Sequence, residues 1–141
     1  MGSPNCRRGY SLVDTAVMVL LLGTVLGTAA PLGQRVVANY QLNTAVRALS
    51  SEVAETKIRA VKVNSVATVK LESNREYTVV GSWRQLPNMV RFDRASDDSL
   101  AFNGLGALTA GTTQRLVLVN RFDERRELRV YAAGGHEIRK L

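Results

Sequence analysis

Three hydrophobic rhythms follow one another along this chain of 141 residues. Residues 12–30 form a run of Leu, Val, Ala, Met, Gly and Thr in which Asp14 is the only charged side chain. At 19 residues the run is close to the ~20 that carry a helix across a bilayer, which predicts a membrane-spanning segment. From 34 to 63 the apolar positions recur mostly three or four apart, at Val36, Val37, Tyr40, Ala45, Val46, Leu49, Val53, Ile58 and Val61. Arg35, Asn39, Arg47, Glu52, Glu55, Lys57 and Arg59 lie between them, the period of a helix with one buried stripe. No strong breaker lies between Gln34 and Val63, so the spanning helix is expected to run on into this one. A kink is expected near Pro31 and Gly33, because proline removes an intrahelical hydrogen bond.

After Asn64-Ser65 the period shortens to two. Residues 66–72 and 76–80 flank Ser73-Asn74-Arg75 and read as a hairpin, with Val69, Leu71, Tyr77 and Val79 as its packing residues. Gly81 and Pro87 punctuate the chain. Further strands are predicted at 89–92, 99–102, 115–119 and 127–131. Gly104-Leu105-Gly106, Ala110-Gly111-Thr112 and the charged turn Asp123-Glu124-Arg125-Arg126 separate them, and a last short strand follows Gly134-Gly135. One long helix followed by an antiparallel sheet over 66–141 is an α+β architecture.

Composition adds two constraints. The roughly 110 residues beyond the apolar run suffice for one small domain with a modest core, and Cys6 is the only cysteine, so no disulfide can brace that domain. Beyond Pro31 the chain carries 17 Lys and Arg against 11 Asp and Glu, a net charge of +6, which favours polyanionic partners or anionic surfaces. The cations crowd toward the C-terminus, at Arg115, Arg121, Arg125, Arg126, Arg129, Arg139 and Lys140, against four acids. Two readings stand. Charge guarding a solvated strand edge is one; phosphate binding through Arg121, Arg125, Arg126, Arg129, Arg139 and Lys140, as for DNA, is the other.

The N-terminus has a direction. Arg7 and Arg8 precede the apolar run and no acid does, which holds that end in the cytoplasm and sends the C-terminal domain to the far side of the membrane. Asp14 is costly within hydrocarbon, by roughly 2.5 to 3.5 kcal/mol at mid-membrane and less toward the interface. It either rests at headgroup level or has a partner. A secretory signal cleaved after Thr28-Ala29-Ala30 is an alternative account of the run. A lipoprotein would need its cysteine after the run, whereas Cys6 precedes it.

Gly9-Tyr10-Ser11-Leu12-Val13-Asp14 resembles the prepilin signature of type IV pilins and type II secretion pseudopilins, usually written Gly-Phe-Thr-Leu-Ile-Glu. With Tyr10 as the first mature residue, Asp14 takes the family's fifth position and Pro31 its twenty-second, where an acid and a helix-kinking proline are common. The resemblance implies a leader peptide over 1–9, removed by a prepilin peptidase between Gly9 and Tyr10, and N-methylation of Tyr10. It implies a transmembrane and assembly helix over 10–33 and a periplasmic pilin-like domain over 34–141, anchored by a single pass in the bacterial inner membrane. Asp14 would pair with the N-terminal amine of a neighbouring subunit, since a charge in hydrocarbon is tolerated chiefly when paired. Asp stands here for the usual Glu, one methylene shorter, and Tyr for Phe. In the body, residues 47–60, 86–90 and 100–106 are similar to GspH/FimT-like minor pseudopilins, in which a long helix packs on β-sheet.

The function implied is a structural and assembly subunit of a type II secretion or type IV pilus filament, with other pilin or pseudopilin subunits as partners. The alternative is a filament-associated subunit that binds DNA or an exported protein substrate. FimT-like proteins are associated with DNA uptake through a C-terminal Gly-Arg-x-Arg element, and the corresponding Gly135-His136-Glu137-Ile138-Arg139 departs from it. A Ser-His-Asp arrangement would have to use His136, the only histidine, with no Gly-x-Ser-x-Gly elbow to carry the serine. Zinc needs more ligands than one histidine and one cysteine, and Gly104-Leu105-Gly106 lacks the rest of a dinucleotide loop. No enzyme and no cofactor is implied. Gly23, Gly27 and Pro31 make the helix weakest there, which predicts local unwinding between 23 and 31 in an assembled form.

Overall fold

The computed structural model describes residues 11–141, and the side chains of all of these except 26 and 28–32. The leader over 1–9 and the Gly9–Tyr10 bond lie outside the described residues, as does the ring of Pro31. The chain divides into two compact units, Met1–Arg35 and Val36–Leu141.

One helix, α1 (Leu12–Val63), is followed by eight strands: β1 (Ala67–Leu71), β2 (Glu76–Val79), β3 (Ser82–Gln85), β4 (Val90–Phe92), β5 (Ser99–Phe102), β6 (Gln114–Asn120), β7 (Arg125–Val130) and β8 (His136–Lys140). Ser11 caps the start of α1. Its carbonyl accepts the Asp14 and Thr15 amides at 2.9 and 3.2 Å, and its Oγ accepts the Val13 amide at 3.3 Å, which satisfies donors a helix start leaves open. At the other end Asn64 adopts φ 49° and the Ser65 amide donates to the Ala60 carbonyl at 3.1 Å, a left-handed C-terminal cap. The helix assignment runs through 23–31; the unwinding expected there belongs to the assembled form.

In the second unit α1 buries Ala38, Leu42, Ala45, Val46, Leu49, Val53, Thr56 and Ala60. The expected stripe is corrected at both ends: Val36, Val37, Tyr40, Ile58 and Val61 are exposed. At 3.6 residues per turn Val36, Tyr40 and Ile58 project opposite Ala38, Leu49 and Thr56. Counting every apolar residue at helical spacing merges two faces. The buried one is rich in small residues, and its Thr56 hydroxyl donates to the Glu52 carbonyl at 2.7 Å, which satisfies the one fully buried hydroxyl on that face.

The strands form two antiparallel sheets instead of one. The first has the order β3-β2-β1-β5, the second β4-β6-β7-β8. Opposite pairs such as Val69↔Leu100 and Leu116↔Leu128 set the registers so that alternate side chains enter a common core. That core gathers Leu42, Leu49 and Val53 from α1, Val69, Leu100 and Phe102 from the first sheet, and Val90, Leu116 and Leu128 from the second. Each fully buried Leu or Phe there contributes about 1.5–3 kcal/mol. The expected packing residues Val69 and Tyr77 are buried, with Leu71 and Val79 partly buried against the same cluster. The sheets meet where the Phe92 amide donates to the Asn74 carbonyl at 2.7 Å and the Tyr77 ring meets Phe92 edge-on at 5.7 Å.

Two further expectations change. β3 has no counterpart among the expected strands, because all four of its residues are exposed and an unburied strand has no alternation to read. Arg125 and Arg126, expected in a turn, open β7, the turn being completed by Asp123 at φ 62°.

One polar network ties the β6–β7 turn to the helix. The Asn120 side chain, 2% exposed, accepts the Phe122 and Glu124 amides at 2.9 and 3.0 Å and donates to Asn39 Oδ1 at 2.7 Å; Asn39 donates to Glu124 Oε1 at 3.0 Å. Because an unmet buried polar group costs about 1–3 kcal/mol, Asn120→Ala should lower unfolding stability by about 2–3 kcal/mol. Asn39→Ala should cost less, about 1 kcal/mol. Denaturant titrations with an unchanged slope check both values.

Candidate functional site

Two parts of the chain carry functional expectations, the start of α1 and the basic C-terminal strands. Asp14 lies in the first turn of α1, where its carboxylate complements the positive end of the helix dipole. It is exposed and makes no ion pair with any described residue. Around it Leu12, Val13, Val17, Met18, Leu20 and Leu21 are 52–88% exposed. A helix that is apolar all round has its stable place in lipid or inside protein. Among the described residues, no helix is long and apolar enough to cross a membrane; the apolar run of the sequence extends into side chains outside that description. The capping by Ser11 gives Asp14 a local role in starting the helix, without supplying a cationic partner.

The six cations proposed for polyanion binding do not form one patch. β-pairing places Arg125, Arg129 and Arg139 on one face of the second sheet, and Arg126, opposite Lys140, on the other. Most are engaged within the fold. Arg125 pairs with Asp93 and Asp123 at 3.3 and 3.1 Å, and the Asp123 hydrogen bond foremost holds its guanidinium even more firmly protonated. Arg129 grips both oxygens of Glu127, 2% exposed, at 3.1–3.2 Å. Arg139 meets Glu137 at 3.5 Å, whose other oxygen accepts the Tyr131 hydroxyl at 2.6 Å and raises that phenol's pKa. Arg126 donates to Asn43 Oδ1 at 3.1 Å.

This is a charge ladder along strands β7 and β8, as a guarded edge requires. Arg121 stands apart in the β6–β7 turn. It lines a hollow with Arg75 and Arg91, residues that sequence reasoning passed over because they lie 16 or more positions from one another. His136 is exposed on edge strand β8. Among the described residues no three His, Cys, Asp or Glu side chains are grouped to hold a metal. Gly104-Leu105-Gly106 is a turn closed by Asn103, whose Oδ1 accepts the Leu105 and Ala107 amides at 3.0 Å each.

Among solved structures the chain is similar to the type IV minor pilin FimU of Pseudomonas aeruginosa PAO1. One crystal form of FimU matches with a TM-score of 0.60 at 14% identity, over 72% of this chain and 90% of that one. The fold is pilin-like. A second crystal form matches with a TM-score of 0.56 at 16% identity, over 70% of this chain and 92% of FimU. No protein-family model and no curated protein matches the sequence. The pilin-like arrangement of one long helix on antiparallel sheets agrees with the α+β expectation.

Removing Arg129 would leave the Glu127 carboxylate buried without its cation. Arg129→Gln should therefore cost about 1–3 kcal/mol, whereas Arg139→Gln, at an exposed pair, should stay within about 0.5 kcal/mol; chemical denaturation separates the two.

A pH effect follows from Tyr77, whose hydroxyl is held protonated far above the ordinary phenol range, by burial first and by the neighbouring Glu52 second. A raised pKa contributes stability that is complete below the unfolded value of about 10 and is lost as pH climbs toward the folded one. Stability should fall above pH ~10 by up to ~1.4 kcal/mol per pH unit, and less steeply in Tyr77→Phe. Equal alkaline slopes in the two proteins would show that the phenol is not held in this way.

Proposed function

We propose that this chain is a structural and assembly subunit, a minor pilin or pseudopilin, built into a filament through its apolar N-terminal helix. The observation that carries the proposal is the pilin-like fold, shared with FimU over nine-tenths of that protein. Because FimU is a type IV minor pilin, a type IV pilus is the first assignment and a type II secretion filament the second.

The prepilin-like residues at the N-terminus supply the rest of the reading. A prepilin peptidase cuts between Gly9 and Tyr10 and the new N-terminus is methylated. The apolar run anchors the chain in the inner membrane with its domain in the periplasm, and the helix then passes into the filament beside other subunits. Asp14 answers the charge of a neighbouring N-terminal amine, the one arrangement in which both charges leave water together. Small residues Gly23, Thr24, Gly27 and Thr28 suit close approach of helices in lipid or protein.

Intact mass and N-terminal sequencing of the protein made with and without a prepilin peptidase test this reading. The expected product begins at N-methylated Tyr10 only when the peptidase is present; an uncut chain, or a cut after Ala30, overturns it. In filaments sheared from cells, Asp14→Ala should lower incorporation at least tenfold, the equivalent of one lost charge-assisted contact. Asp14→Glu should keep it.

A further inference from the structure

Arg75, Arg91 and Arg121 line one hollow of about 300 Å³, together with Asn88, Met89 and Asn120, and no carboxylate shares its wall. Three separate segments build it. Arg75 ends the turn before β2; its guanidinium donates to Asn88 Oδ1 at 2.7 Å, and its carbonyl accepts the Leu86 amide at 2.8 Å, which fixes that turn against residues 86–89. Arg91 sits on β4 between buried Val90 and Phe92, so its side chain is directed to the other face of the strand. Arg121 is held by its own amide, which donates to the Met89 carbonyl at 3.1 Å, and by its guanidinium lying over the Phe122 ring at 5.2 Å. A cation–π contact of that kind uses the face of the guanidinium and leaves its N–H edge open.

These arginines differ from those that the sheets neutralise. Arg84, Arg125, Arg129 and Arg139 are each paired with an acid. Arg75, Arg91 and Arg121 have no ion pair among the described residues, and Arg75 keeps a buried Nε without an acceptor. Three like charges around one hollow, with no carboxylate in its wall, are complementary to an anion of more than one charge. A single carboxylate would satisfy one guanidinium fork. A phosphate dianion offers several oxygens to several forks and carries roughly 1.5 to 2 charges at neutral pH.

A polymeric phosphodiester fits less well. It carries one charge per phosphate, whereas the hollow presents three guanidinium groups, and in the adjoining hollow Asp93 and Asp123 offset most of the charge of Arg91, Arg94 and Arg125. We propose that the Arg75–Arg91–Arg121 hollow is a binding site for a phosphate dianion, inorganic phosphate or the terminal monoester of a small molecule. This assignment rests on the sheet domain alone and holds whether or not the chain joins a filament.

The test is calorimetric titration of the full chain in detergent with inorganic phosphate and, separately, with glycerol 3-phosphate, at fixed ionic strength because exposed charges are screened by salt. One saturable site is expected, tightening between pH 5.5 and 7.5 as the second phosphate proton leaves. Loss of a charged hydrogen-bond donor corresponds to about tenfold or more in affinity, so Arg91→Gln and Arg121→Gln should each weaken binding by that factor. Arg139→Gln, outside the hollow, should not. Arg91 and Arg121 are exposed, so both variants should keep the thermal midpoint of the parent. Absence of saturable binding, or binding unchanged in both hollow variants, overturns the site. So does tighter binding of an oligonucleotide without terminal phosphates through the same arginines.

Discussion

Everything in the sheet domain depends on one face of α1 being small enough and apolar enough to close two sheets at once. Each sheet has four strands and an apolar side, and neither can hide that side alone. Ala38, Ala45 and Ala60 let the helix approach closely, while Leu42, Leu49 and Val53 reach into the common core with Phe102 and Leu116. Neighbouring residues in such a core are packed at crystal-like density, so a shift of the helix by two positions would drive Tyr40 into the place of Ala38, or Ile58 into that of Ala60. The Asn39–Asn120–Glu124 network adds direction to that packing, since polar partners are satisfied in one register only.

Much of this was legible from period alone. Strands β1 and β5 show the two-residue alternation of half-buried chain, β6 is a short apolar run buried at its last five positions, and the expected positions of β1, β2, β5, β6 and β7 lie within two residues of the observed ends. What escaped was information that resides in other parts of the molecule. The helix face was misjudged at Val36, Tyr40 and Ile58 because apolar residues occur on both sides of α1, and only the sheets decide which side is covered. β3 was missed because Ser82, Trp83, Arg84 and Gln85 are all exposed; it forms through its ladder to β2. Two sheets were read as one because strand partners are chosen by long-range pairing, which local pattern does not encode. The hollow was invisible for the same reason: Arg75, Arg91 and Arg121 come from different segments.

The charge of the domain divides in a way that total charge conceals. On β7 and β8 Arg125, Arg129 and Arg139 each pair with an acid, and exposed pairs of this kind add little stability. Their stronger effect is on association, because a row of charges on an edge strand opposes unwanted strand addition. The exception is Glu127, buried beneath Arg129, where loss of one partner strands the other. At the opposite edge, around β4, the balance fails, and positive charge is left facing solvent at Arg91 and Arg121. A fold that pairs some of its arginines with acids leaves others with their field directed outward.

The first unit poses the opposite problem. Leu12, Val13 and Leu20 are 88%, 67% and 68% exposed, and in water such a surface is worth roughly 25 cal/mol per Å² to any environment that removes it. Lipid and protein can both do so, but they treat Asp14 differently. In a bilayer a carboxylate near the helix start is drawn toward the interface, which limits how deeply that end can sit. In a bundle of like helices it can sink only if a cation enters beside it. The same acid would be a weak anchor in a membrane and a selective contact in protein. That asymmetry is a physical reason for an ionisable residue to stand so early in an otherwise apolar helix.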